Sequence, residues 1–363
     1  MLKNVQLWLP AYLRARLVRR RRAGRTHIMF CVADHFEPDV GGAKLPEQLR
    51  RVERWVTSYP RLARTHRDAD GRHPRHTFFY PAEAYHPEVV ERLAHLCREG
   101  CGEVEVHLHH DGDSSASLEQ KLEQAKADFA RHGLLARERT TGRTRFGFIH
   151  GNWALDNSRR DGKWCGVNNE LEVLRRAGCY ADFTLPSAPS ETQTRKINSL
   201  YYAVDDPAKP KSHDTGRDVR VGGQSNGELL LIQGPLTLDW RQRKYGLLPR
   251  IENGELSQWN PPSPQRVDLW IREAIGVQGR PDWVFVKLHT HGAKPGNTDV
   301  LLGEPMDGMF SYLESAYHDG TSYALHYVTA REMYNIIKAA ERGETDEPGR
   351  YRDLELINPV GTR

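Results

Sequence analysis

Gly102-Glu103-Val104-Glu105-Val106-His107-Leu108-His109-His110-Asp111-Gly112-Asp113-Ser114 is the stretch from which the fold of this 363-residue chain is best read. Residues 103–108 alternate in polarity and read as a strand. Three imidazoles and two carboxylates then follow within residues 107–113. Two strand residues separated by one other share a face, so His107 and His109 point the same way. Neutral imidazole with carboxylate suits zinc or a related divalent ion. The alternative is a solvated polar loop with surface histidines.

Outward from this stretch, other apolar runs end in the same manner. Residues 27–33 form a continuously apolar strand of the kind buried on both faces of a parallel sheet, and it exits into Asp34-His35-Phe36-Glu37-Pro38. Residues 145–149 exit into His150-Gly151-Asn152-Trp153. Residues 283–288 exit into His289-Thr290-His291. Further strands are expected at 76–81, 180–185, 228–232 and 323–328. Helical spacing predicts helices over 46–59, 87–99, 117–133, 168–176, 267–275, 309–317 and 330–340, with a capping box at Ser117-Leu118-Glu119-Gln120 and C-terminal caps at Gly100 and Gly178.

Strands alternating with helices imply a mainly parallel sheet, and function in such folds gathers where the strands end. The histidine and aspartate clusters therefore share one rim, although they are spread over more than 250 positions. Residues 186–264, rich in proline, glycine and charge, are expected to be an insertion or long loops over one face. The domain proper spans 27–340, with a basic amphipathic segment (1–26) before it and a polar surface tail (341–363) after it.

Charge is nearly balanced, 52 basic against 48 acidic residues, which gives no reason to expect a nucleic-acid partner. Arginines crowd residues 14–25. With Val5, Leu7, Trp8, Leu9, Tyr12, Leu13 and Leu17 they make a helix that either contacts an anionic membrane surface peripherally or packs across the bottom of the domain; the second reading is preferred. No run is long and apolar enough to span a bilayer, and the start does not resemble a secretory signal. The five dispersed cysteines suit a reducing compartment, hence the cytoplasm. Phosphate-loop, dinucleotide, serine-hydrolase and His-Glu-x-x-His signatures are absent.

Taken together, the strand with its acidic exit, His76-Thr77-Phe78-Phe79-Tyr80-Pro81, the helix from Pro87 with Glu91-Arg92-Leu93-Ala94, the glycine at 100, and Glu103-Val104-Glu105-Val106-His107 resemble the NodB-homology, or polysaccharide deacetylase, superfamily. Leu174 to Gly178, Val286 to His289 and Tyr327 to Met333 extend the resemblance over about residues 27–340. It implies an α/β fold of the distorted (β/α) barrel type and removal of acetyl groups from N-acetylated sugars. It also implies one divalent metal, usually zinc, held by an aspartate and two histidines, with a second aspartate as base and a late histidine as acid. A metal suits this reaction because an amide carbonyl is a poor electrophile.

By this resemblance Asp34 is a ligand or the base, with His35 or Glu37 as the alternative ligand. His107 is the first histidine ligand. Asp111 occupies the second ligand position, with His109 or His110 as alternatives. His289 matches the late acid. His150, Asn152, Trp153 and His291 are expected to meet substrate. The leading expectation is thus a zinc-dependent hydrolase acting on an acylated amino sugar or glycan. Hydrolysis of a non-sugar amide is a second reading. A third is a non-catalytic saccharide-binding barrel with Trp153, Trp164, Tyr201, Tyr202 and Trp240 as an aromatic platform.

Overall fold

The computed structural model describes residues 4–17 and 24–358. Strand β1 (Thr26–His35), buried along its whole length, lies at the heart of a large, mostly parallel sheet. Around it are β2 (His76–Pro81), β3 (Gly102–Leu108), β4 (Thr144–His150), β5 (Cys179–Asp182), β6 (Leu229–Ile232), β7 (Trp283–Thr290) and β8 (Tyr323–Tyr327). The order is β7-β1-β2-β3-β4-β5-β6, all parallel. β8 pairs with the first half of β1 and β2 with its last residues, so β1 has ladder partners along its full length.

The helices are α1 (Val5–Leu17), α2 (Leu45–Ala63), α3 (Pro87–Arg98), α4 (Ser115–Ala130), α5 (Glu170–Ala177), α6 (Pro264–Arg272), α7 (Pro295–Leu301), α8 (Glu304–Tyr317) and α9 (Ala330–Arg342). The cap of α4 falls one turn before the expected box. Ser114 is the N-cap, accepting from the Ser117 amide, and Ser117 Oγ accepts in return from the Ser114 amide.

The two-residue period of the strands sorts side chains between two cores. Ile28, Phe30 and Val32 of β1, with Val104, Val106, Leu108, Phe146, Phe148, Val284 and Val286, meet apolar residues of α2 to α5 in one cluster. Met29, Cys31 and Ala33 face the other way and join Phe79, Ile149, Phe285 and Ile232 with Met333, Ile336 and Ile337 of α9. That residues of the far strands β6 and β7 share this inner cluster means the sheet curls. Its ladder does not close into a barrel: among the described residues no backbone pairing joins β6 to β7. Lys287 spans the gap, its buried ammonium donating to the carbonyls of Phe183 at 2.7 Å and Leu185 at 2.6 Å.

Residues 186–264 are more ordered than expected of loops. They contribute β6, the strand Leu200–Ala203 antiparallel to it, and a hairpin of Thr237–Lys244 with Leu248–Glu252. The expected surface tail also turns back into the domain. Arg352 is 1% exposed in its side chain and bonds to Asp68, Asp70 and Glu332, because the buried carboxylates of Asp68 and Glu332 need a cationic partner. Trp8 and Tyr12 of α1 are buried with Ala188, Ile197 and Leu236. The arginines at 19–22 lie outside the described residues. No described helix is long and apolar enough to cross a membrane.

Candidate metal centre

The inner parity of the strands continues past their ends and delivers one set of side chains to a cleft of about 700 Å³. His35 follows Ala33, His109 follows His107, and His291 follows His289. Cleft walls include His35, Glu37, His109, His291, Trp153 and Trp259, with His107 buried beneath them.

Glu37, His107 and His109 converge. Oε1 of Glu37 is 3.3 Å from His107 Nε2 and 3.2 Å from His109 Nε2. The opposite ring nitrogens have partners of their own. His107 Nδ1 donates to the carbonyl of Ile149 at 2.9 Å, and His109 Nδ1 is 2.6 Å from Glu83 Oε1. His107, held as the Nδ1–H tautomer by a carbonyl that can only accept, turns an Nε2 lone pair toward Glu37, and His109 does the same in the form whose proton goes to Glu83. Three electron-rich atoms facing one point repel unless a proton or cation lies between them. A carbonyl or carboxylate behind the imidazole is also the usual support of a metal-ligating histidine. The donor set therefore fits a divalent ion of the zinc type.

Without such an ion a proton fills the role. Burial opposes it, but hydrogen bonds to Glu37 and Glu83 raise His109 to about 10. Glu37 is held well below the usual carboxylate range: burial works against this, and hydrogen bonds from His107 and His109 outweigh it.

A second tier of imidazoles adjoins the first. His35 stacks on His291 with centroids 4.7 Å apart, meets His107 edge-on at 5.0 Å, and lies 6.4 Å from His289. Burial pushes His35 and His289 well below the ordinary histidine value and His291 down to about 4, so all three rings stay neutral near pH 7. His35 Nε2 and His289 Nδ1 are buried without a hydrogen-bond partner, which a bound group or its water would satisfy.

Several expected site residues are placed elsewhere. Asp34 has the parity of Val32 and faces the helices, completely buried. Its oxygens accept from His76 Nε2 at 2.9 Å and the Gly292 amide at 2.6 Å. Asp111 accepts from the Trp164 amide at 2.6 Å and is outside the convergent group. His110 and His150 share the helix-side parity of Leu108 and Phe148 and meet each other there, with centroids 4.6 Å apart. Asn152, Trp153 and His291 do line the cleft.

Tyr201 and Tyr202 are buried in different cores, while Trp164 and Trp240 are exposed, so the five aromatics form no common platform. The exposed indole in the cleft is Trp259. Glu83 and Trp259 escaped the sequence reading. Glu83 was detectable by the same rule as the rest, since it has the inner parity of Phe79 and Pro81 and lies just past the end of β2.

Neither the family models nor the curated proteins with which the chain was compared contain a match to it.

Proposed function

We propose that the protein is a divalent-metal-dependent hydrolase of the polysaccharide deacetylase type, built on a distorted (β/α) barrel and removing an acyl group from an amino sugar or glycan. The observation that carries the reading is the pair of Nε2 atoms aimed at one oxygen of Glu37, each behind a tied Nδ1. Glu37, His107 and His109 are the residues that would hold the ion. A zinc ion bound there supplies Lewis acidity toward the acyl carbonyl and an acidified water.

The chain's own residues supply the rest. His35 and His291, neutral and stacked, face the cleft where Asp34 cannot. One of them takes the proton of the attacking water, and the resulting imidazolium, or His289 behind it, delivers a proton to the leaving nitrogen. Trp153 and Trp259 offer ring faces on which a pyranose can lie. Unpaired, buried cysteines suit a cytoplasmic setting.

The test is acetate release from N-acetylated amino-sugar oligomers by the zinc-loaded protein, with Glu37→Gln alongside. Release that disappears in the variant supports the proposal. No release from any acylated sugar, with turnover of a simple N-acetylated amine instead, replaces it by the non-sugar amide reading.

A further inference from the structure

The helix-side parity of the same strand ends carries a second constellation that the cleft chemistry does not use. His110, just past β3, His150 at the end of β4, Cys165 in the following loop and Glu170 in the first turn of α5 each offer one ligand atom, all within 4.8 Å of one another. We propose that these four residues form a closed zinc site, separate from the cleft, that locks the wall of the cleft in place.

Hydrogen bonding prepares each side chain for a cation. His150 Nδ1 lies 2.5 Å from the carbonyl of Gly151, to which it can only donate, so Nε2 keeps its lone pair. That Nε2 is fully buried, without a hydrogen-bond partner, and faces Glu170 Oε1 at 3.5 Å. His110 Nε2 approaches the same oxygen at 3.0 Å, and its Nδ1 is 3.0 Å from Asp113 Oδ2. The sulfur of Cys165 accepts from the amides of Asn157 at 3.3 Å and Val167 at 3.4 Å, donors that stabilise a thiolate. Sγ also lies 3.3 Å from Glu170 Oε2. In the metal-free protein the thiol proton has Glu170 Oε2 and the Val167 carbonyl as acceptors, and a proton on His110 Nε2 would be donated to Glu170 Oε1. Zinc would displace both protons to solvent and take their place.

The chemistry selects the ion and the role. One thiolate, two imidazoles and a carboxylate are zinc ligands, and four protein ligands leave no position for substrate. Bonds of about 2.1 Å in a tetrahedron put ligand atoms about 3.4 Å apart, close to the 3.0 Å and 3.5 Å that separate Glu170 Oε1 from the Nε2 atoms of His110 and His150. His150, Cys165 and Glu170 are 0% exposed, so the site is a closed one.

The ion would join three segments around a loop that holds left-handed backbone at Asn152, Trp153, Asp156, Asn157 and Trp164. Non-glycine residues persist in that region only when their surroundings fix them. Trp153, on this loop, packs against His35 and His291 in the cleft.

The experiment is cobalt(II) titration of the chelator-stripped full-length protein, read by absorbance and paired with zinc analysis. A thiolate-to-cobalt charge-transfer band is expected in the wild type, retained in His107→Ala and lost in Cys165→Ser. Among the described residues no other cysteine belongs to a convergent ligand group. Wild-type protein that binds cobalt without this band overturns the proposal, whatever the variants do; so does a band undiminished in Cys165→Ser. Because the cleft contains no cysteine, loss of its metal and loss of this one are read separately.

Discussion

Asp34 and His35 are adjacent in sequence and serve opposite faces of β1: Asp34 accepts from His76 and the Gly292 amide among the helices, while His35 stacks on His291 in the cleft. That opposition decides which groups meet. Glu37, His107, His109, His289 and His291 gather on the cleft side, and Asp34, His110 and His150 are excluded from it.

Metal affinity should follow this division. Glu37→Gln and His107→Ala are expected to abolish zinc binding in the cleft, while Asp111→Ala leaves it unchanged. Glu83→Gln weakens the charge-assisted support behind His109 and should lower zinc affinity about 10- to 100-fold. Competition titration with a zinc indicator measures all four. An equal loss in Asp111→Ala would place the second ligand where the sequence resemblance put it.

Gly151 should tolerate no side chain. A Cβ there would lie 2.3 Å from His109 Cδ2 and 2.8 Å from His109 Cα, so ring and backbone must both move. Gly151→Ala is expected to lower zinc affinity and to cost about 1–3 kcal/mol of stability, readable by denaturant titration with and without zinc. Unchanged affinity would mean that His109 is not a ligand.

Lys287 replaces a missing ladder. Its removal in Lys287→Met takes the donor from the Phe183 carbonyl in the interior, while the Leu185 carbonyl keeps the Gly234 amide at 3.0 Å. At about 1–3 kcal/mol for an unsatisfied buried group, a loss of about 1–3 kcal/mol is expected. Calorimetry or urea unfolding showing less than about 1 kcal/mol would mean that water or backbone movement replaces the ammonium.

Glu105 should make stability depend on pH. Burial raises it from 4.5 to about 8, against hydrogen bonds from Tyr180 and Gly147 that favour the charged form. The unfolded chain therefore ionises first. The contribution is complete below pH 4.5 and declines as pH rises to about 8, with a slope of at most about 1.4 kcal/mol per pH unit. Glu105→Gln should flatten the unfolding free energy across that window. Identical slopes in both proteins would contradict the assignment.

Much of this was legible in the sequence, and the illegible part has a physical cause. The strand exits and the helices between them follow from apolar runs and helical spacing. The shared face of His107 and His109 follows from strand geometry. Matching Asp34 or His35 to that face needs the register between β1 and its neighbours, which the pattern of one strand does not contain. Glu37 and Glu83 lie past the ends of their strands, where inner parity still gives their direction but only the register between strands brings them to His107 and His109. Arg352 was read as part of a tail because its partners, Asp68 and Asp70, lie more than 280 positions away.

The most direct test of the cleft as a metal centre is equilibrium dialysis of chelator-stripped protein against zinc, comparing the wild type with the His107→Ala, His109→Ala double variant. The double variant is expected to bind one equivalent fewer, with its circular dichroism and its cobalt–thiolate band intact. Equal zinc content in the two proteins would contradict the assignment of Glu37, His107 and His109 as the metal-binding group.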